Sequence, residues 1–283
     1  LLRAGVMSML KGSTVLVTGA ASGIGYECAL AFANKGANLV ISDINSAALE
    51  SLRREVEDRG VRCLALCCDV TDGTAVRELA ATVNEELGPP HILVNNAGIA
   101  FLGAFEETPD DMWRKTLDVN VMGIVHFTRA FLPAMRREGG ARKVVNVASL
   151  AGVAPAPNMS AYAASKHAVV GLSEVLSLEL AGSEISVLVV CPGIIHTNIT
   201  EANSMVAPGF GEDNLARLQQ YYRDKGAHPR VVAEDMLRAI EKGNIYEFTG
   251  PMARTSSFIA RVSRRLARKL TLRAARESGY MQQ

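Results

Sequence analysis

Tyr162 and Lys166 lie four residues apart in Tyr162-Ala-Ala-Ser-Lys166, and Ser149 precedes the tyrosine by thirteen residues. On a helix, positions i and i+4 share a face, so this spacing turns a phenol and an ammonium into one pocket. A free tyrosine, with a pKa of about 10, is a poor proton carrier near neutrality. A cation held beside it favours the phenolate and is expected to draw that value down. The pair therefore reads as an acid/base for proton transfer, with the Ser149 hydroxyl available to hold an oxygen on which charge develops.

Proton transfer by a phenol needs a partner reaction, and the N-terminal glycines point to it. Thr18-Gly19-Ala20-Ala21-Ser22-Gly23-Ile24-Gly25 joins an apolar run to a helical pattern. Glycines let the backbone approach a pyrophosphate, and a helix N-terminus offers free N–H groups and a positive dipole. The spacing is Gly-x-x-x-Gly-x-Gly rather than the more familiar Gly-x-Gly-x-x-Gly. Asp43 follows Gly25 by eighteen residues, where a carboxylate can bind ribose hydroxyls and repel a 2′-phosphate. Neither Ser22 nor Ile44 supplies a compensating cation, so NAD is expected in preference to NADP. The competing role for Asp43 is a helix cap, which Asn45 or Ser46 can fill instead.

The elements that must position these groups alternate. Expected strands are Thr14–Thr18, Asn38–Ser42, Arg62–Cys68, His91–Asn95, Lys143–Ala148 and Ile185–Cys191. Between them run helical patterns at Tyr26–Lys35, Ala47–Arg59, Thr74–Leu87, Asp110–Arg137 (broken near its end by Pro133) and Ala161–Leu180. Apolar strands alternating with helices indicate an α/β domain built on a parallel sheet covered on both faces. With no repeats and no low-complexity linker, residues 1–251 read as one domain. Within it, 194–229 is polar and holds Pro208, Gly209 and Gly211, reading as either a loop-rich substrate lid or a plain surface excursion.

In this order and spacing, Thr18–Gly25, Asp43, Asp69-Val70, Asn95-Asn96-Ala97-Gly98, Asn120, Ser149, Tyr162-x-x-x-Lys166 and Pro192-Gly193 with Thr197 resemble the short-chain dehydrogenase/reductase family, from about Gly12 to Thr200. The resemblance implies a doubly wound sheet of seven parallel strands, a Rossmann fold, with cofactor and substrate meeting at the strands' C-terminal ends. It implies that Gly19, Ser22, Gly23, Ile24, Gly25 and Asp43 bind the cofactor, with Asp69 and Val70 holding the adenine. Asn96, Ala97 and Gly98 are expected along the crevice, and Pro192, Gly193, Ile195 and Thr197 at the nicotinamide half. Tyr162 would exchange the alcohol proton, Ser149 would bind the substrate oxygen, and Lys166 would bind the nicotinamide ribose and lower the Tyr162 pKa. Asn120 would hold a water linking Lys166 to solvent. The helices at Asp110–Arg137 and Ala161–Leu180 correspond to those that pair subunits in the family, so a homodimer or homotetramer is expected.

The reaction these residues suggest is interconversion of a secondary alcohol and a ketone. An apolar substrate is indicated by Val153, Ala154 and Pro155 and by Met205, Val206 and Phe210. The nearest rival is a 3-oxoacyl thioester reductase using NADPH, which Asp43 disfavours. A rival of another class is a nucleotide-sensing or scaffold protein acting through its tail. No His/Cys/Asp cluster has metal-ligand spacing, so no metal is expected. His167 is expected to face away from the pocket, His196 to be a solvent-exposed loop residue, and Trp113 to serve the core or a subunit contact.

Hydrophobic residues make up 48% and charged residues 21% of the chain, ordinary values for a globular protein. Cys28, Cys63, Cys67, Cys68 and Cys191 read as small buried hydrophobes in a reducing compartment, and a cytoplasmic protein is expected. The opening Leu1–Met7 has too short an apolar core for a signal peptide, and Met7 or Met9 is expected as the start. From Met252 onward eight Arg/Lys face a single acid, Glu277. There Phe258, Ile259, Val262, Leu266 and Leu270 recur at helical spacing among Arg261, Arg264, Arg265, Arg268 and Lys269. Residues 252–283 thus read as a basic amphipathic extension. It either meets an anionic membrane or acidic partner, or packs its apolar stripe within its own oligomer. Nucleic acid is not expected, since no aromatic–basic surface pattern supports it.

Overall fold

A computed structural model describes residues 10–197, 205–278 and 280–281. The expected start residues Met7 and Met9, and 198–204 of the expected lid, lie outside the described residues. Seven parallel strands form one sheet: β1 (Thr14–Thr18), β2 (Asn38–Asp43), β3 (Cys63–Cys67), β4 (Ile92–Asn95), β5 (Arg142–Val147), β6 (Ile185–Pro192) and β7 (Tyr246–Thr249). Their order is β3-β2-β1-β4-β5-β6-β7. Registers such as Leu16 opposite Val40 and Leu93, and Val145 opposite Leu188, keep the apolar centres of the strands level.

Side chains alternate across the sheet, so each strand feeds two cores. Val15, Val17, Ile41 and Val94 point to one face, where they meet Phe32 of α1 (Gly23–Ala33), Leu52 of α2 (Ser46–Glu57) and Met236 of α8 (Pro229–Lys242). Leu16, Val40, Leu93 and Val144 point to the other, against Val83 of α3 (Gly73–Glu86) and Phe127 and Phe131 of α5 (Gly123–Glu138). Both faces are covered, as strands without polar alternation require. The chain runs outward from β1 to β3 and returns to place β4 on the other side of β1. That reversal opens a crevice at the C-terminal strand ends.

Two elements differ from the sequence expectation. The helix expected over Asp110–Arg137 is three pieces: α4 (Asp110–Leu117), a π-helical turn (Asp118–Met122) and α5. The ladder is interrupted at the wide turn; Pro133 sits inside α5. The region expected to be loop-rich contains α7 (Glu212–Lys225), which starts at Gly211 with Glu212 and Asp213 in its first turn. Its helical pattern is hard to see because Leu218 is its single buried residue. α6 (Ser160–Glu179) carries Tyr162 and Lys166 on its buried side. The tail forms α9 (Ala253–Val262) and α10 (Arg264–Ser278).

Among the described residues, no helix is long and apolar enough to cross a membrane. Cys28, Cys68 and Cys191 are buried as expected, Cys63 is half-buried, and Cys67 is exposed.

Candidate active site

The strand ends open into a cavity of about 860 Å³. Every expected site residue lines it except Gly25 and Asn120, which stand behind its wall. A Cβ on Gly25 would lie 2.1 Å from the Gly19 carbonyl oxygen, so the helix can turn beneath the first glycine only without a side chain there. Gly19 has φ +63, and its own Cβ would fall 2.7 Å from the Ala97 Cα. The two glycines thus let the β1–α1 turn press against the strand β4 exit.

The N-terminus of α1 faces this cavity uncapped: Ser22 makes no side-chain capping bond, and the first turn carries no acid. Such a helix end leaves N–H groups free and a partial positive charge. Asp43, half-buried at the end of β2, accepts the Ala21 N–H through Oδ2 and the Asn45 N–H through Oδ1, both at 3.0 Å. Asn45 caps α2 by accepting from the Ala48 N–H, so the cap does not need Asp43. The Asp43 carboxylate therefore holds the glycine turn while standing in the cavity wall. An open helix end for a pyrophosphate and a carboxylate for ribose hydroxyls fit a dinucleotide.

Neighbouring strand ends complete the crevice. Thr18, which the sequence reading did not single out as a positioner, accepts the Asn96 and Ala97 N–H groups through Oγ1 at 3.0 and 3.1 Å. Asn96 Nδ2 donates to the Thr18 and Gly19 carbonyls at 3.0 and 3.1 Å. Asp69 is exposed, its Oδ1 held by the Thr71 N–H and hydroxyl at 2.8 Å each. Thr197 approaches Gly23, and the buried Ile195 bridges in parallel to Ala227.

Tyr162, Lys166 and Ser149 meet at the other end of the cavity. Ser149 follows β5 and accepts the Ala151 N–H at 3.1 Å. Burial pushes the Tyr162 phenol up to about 12, and a hydrogen bond from Ser149 pulls it partly back. Lys166 is 4% exposed and donates to the Val147 carbonyl at 2.9 Å. Burial depresses its ammonium to about 8. The expected lowering of the Tyr162 pKa by Lys166 is therefore not what this arrangement gives. The ammonium lies over the phenol ring, 5.6 Å from its centroid, with a proton committed to Val147, and burial is the leading influence on both groups.

Asn120 sits fully buried in the π-helical turn. Its Nδ2 donates to the Ile99 carbonyl and Ser165 Oγ at 2.9 Å each, and its Oδ1 accepts the Ile99 N–H at 2.8 Å. Both amide hydrogens are used; one Oδ1 lone pair remains for a water. His167 and His196 are exposed, as expected, and Trp113 is half-buried with its ring 5.9 Å from Phe105.

Of the residues that close the pocket, the sequence reading named Phe210 but missed Leu218, Tyr222 and Tyr280. Phe210 and Leu218 pack with Ala151, Met159 and Tyr162, bringing α7 over the phenol. Tyr222 of α7 hydrogen-bonds hydroxyl to hydroxyl with Tyr280 of the tail. Their rings meet edge-on with centroids 6.4 Å apart, and Asn158 Nδ2 donates to the Tyr280 carbonyl. Both phenols are raised above the usual tyrosine range, first by burial. Nothing local in the sequence marks Tyr280, because its partners lie far away in the chain.

The sequence model described as short chain dehydrogenase matches residues 13–206. A probable oxidoreductase, EphD of Mycobacterium bovis, is 37% identical over 252 residues, covering 88% of this chain and 43% of its own. The chain thus spans less than half the length of that relative. Oxidoreductase UcpA of Escherichia coli K12 is 41% identical over 199 residues, 69% of this chain and 74% of its own. A Burkholderia phymatum short chain dehydrogenase/reductase, solved in complex with NAD, superposes with TM-score 0.78 at 32% identity, covering 84% of this chain and 88% of that one.

Proposed function

The chain belongs to the short-chain dehydrogenase/reductase family, and from that premise we propose that it is an NAD-dependent oxidoreductase interconverting a secondary alcohol and a ketone, with Tyr162 as the proton carrier. The observation that carries the reading is one cavity shared by an uncapped helix end, the Asp43 carboxylate and the Ser149–Tyr162 hydroxyl pair. The NAD complex of the Burkholderia relative supports the cofactor assignment.

Ser22 to Gly25 and Asp43 would hold the dinucleotide, and Lys166 its nicotinamide ribose; bound there, it supplies the hydride acceptor or donor. Ser149 holds the substrate oxygen by hydrogen bonding. In reduction, Tyr162 passes its phenolic proton to that oxygen, and in oxidation it takes the proton back. A phenol held near 12 is protonated at neutrality, which suits the reductive direction. Asn120 anchors the Ile99 loop to α6 through Ser165, and its remaining lone pair suits a water on the path that resupplies the proton.

An apolar substrate fits the wall formed by Ala154 and Met159 after β5, Met205 of the lid and Ile259 of the tail. The test is a panel of ketones of graded chain length with NADH, followed by loss of reduced-cofactor absorbance. Turnover that rises with chain length is expected. No turnover of any carbonyl with either reduced nicotinamide would end the enzyme reading.

A further inference from the structure

The C-terminal helices bury their small side chains. Toward the body they turn alanines: Ala260 and Ala267 pack with Ala154, and Ala253 and Ala275 are buried too. The large apolar residues face outward. Phe258 is 68% exposed, Val262 70%, Leu266 47% and Leu270 44%. Of the stripe, Ile259 alone packs against the body in the alanine cluster. Scattered single hydrophobics on a surface are ordinary; here two stand one turn apart on each helix, Phe258 and Val262 on α9 and Leu266 and Leu270 on α10, either side of the break at Ser263.

Cations accompany this stripe. Arg254 pairs with Glu247 at 2.8 Å and Arg273 with Glu277, the tail's single acid, at 3.0 Å. Arg261, Arg265, Arg268 and Lys269 are exposed and make no ion pair among the described residues. Exposed aliphatic and aromatic groups interleaved with unpaired cations match an anionic lipid surface, where the apolar groups enter the acyl boundary and the cations meet headgroups. A purely polyanionic partner would leave the apolar stripe in water.

The stripe also adjoins the pocket. Leu270 and Met252 line the cavity yet are 44% and 49% exposed, so they mark its rim. We propose that α9 and α10 dock the chain on an anionic lipid surface, with the cavity mouth at the docked face. Entry of an apolar substrate from the leaflet rests on the proposed function; the docking does not.

The experiment is co-sedimentation of the full chain with phosphatidylcholine vesicles, with and without phosphatidylserine, at fixed ionic strength. Pelleting with the phosphatidylserine vesicles alone is expected. Each cation removed from a charged lipid surface loses roughly fivefold in affinity, so Arg265→Ser with Lys269→Ser should bind about thirtyfold more weakly. Phe258→Ser with Leu266→Ser should lose binding as well. These positions are exposed, so unchanged melting temperatures are expected to show the variants folded. No pelleting, or variants that pellet like the parent, would overturn the proposal. So would finding that Phe258→Ser with Leu266→Ser converts an oligomer to a monomer without lipid, which would assign this face to a second copy. Pelleting is read without turnover, so the docking and the enzymatic reading fail separately.

Discussion

Tyr162 and Lys166 each carry the mark of burial, and their titrations set how the site should respond to pH. The phenol must lose its proton to accept one from an alcohol, and burial holds it near 12. Oxidation should therefore climb steadily into the alkaline range, while reduction stays flat through neutrality; pH profiles of both directions read this. Lys166 titrates near 8 in the fold against about 10.4 unfolded. Between those values the unfolded chain binds more protons, so this group adds stability as pH rises. Below about 8 the full burial penalty applies. The melting temperature of the native protein should thus gain on that of Lys166→Met as pH rises from 8 toward 10. The spacing of Tyr162 and Lys166 was readable from sequence, but their titration was not, because burial and the Val147 carbonyl belong to the tertiary fold. For Asp43, its place at the end of β2 and the spare cap at Asn45 stood in the chain, but its hold on the Ala21 N–H did not.

At the scale of elements, the wide turn at Asp118–Met122 is what delivers Asn120 to Ile99 and Ser165. A π-turn inside a helix marks a site more often than chance, since the ladder is broken at a cost. Asn120→Ala removes the side-chain partner of the half-buried Ile99 N–H and carbonyl, at about 0.5–1.5 kcal/mol for each hydrogen bond lost. A loss of roughly 1–3 kcal/mol in urea unfolding is expected, together with reduced turnover. Residue periodicity ran through this turn unbroken, which is why the sequence suggested one long helix. At the other end of the cavity, the β1–α1 turn depends on Asp43. Asp43→Asn keeps one acceptor for the turn while removing the charge that opposes a 2′-phosphate. Equilibrium binding should show NADH tighter than NADPH in the parent and a narrowed ratio in the variant. Tighter NADPH binding in the parent would reverse the cofactor assignment.

Across the whole molecule, the pocket is assembled from segments distant in sequence. The doubly wound sheet of seven strands came with the family resemblance; that the sheet is parallel and covered on both faces was legible because apolar strands alternate with helices, a local pattern. Closure by α7 and Tyr280 was not, because it depends on contacts between remote residues rather than on periodicity. Tyr280→Phe removes the hydroxyl contact with Tyr222 while keeping the ring packing. It should raise KM more than it lowers kcat, since the pair closes the pocket without touching the reacting oxygen. Exposed Met122, at the end of the π-helical turn before α5, and Val175 and Leu178 on α6 lie on the stretches that the family resemblance implicates in subunit pairing. Leu178→Arg should shift sedimentation velocity toward the monomer.

The central claim is that Tyr162 moves the substrate proton, and turnover of Tyr162→Phe with saturating NADH tests it most directly. General acid catalysis contributes about 100- to 10,000-fold. A loss of kcat in that range, with NADH binding intact, is the predicted result. A Tyr162→Phe enzyme that reduces the ketone as fast as its parent would contradict the account.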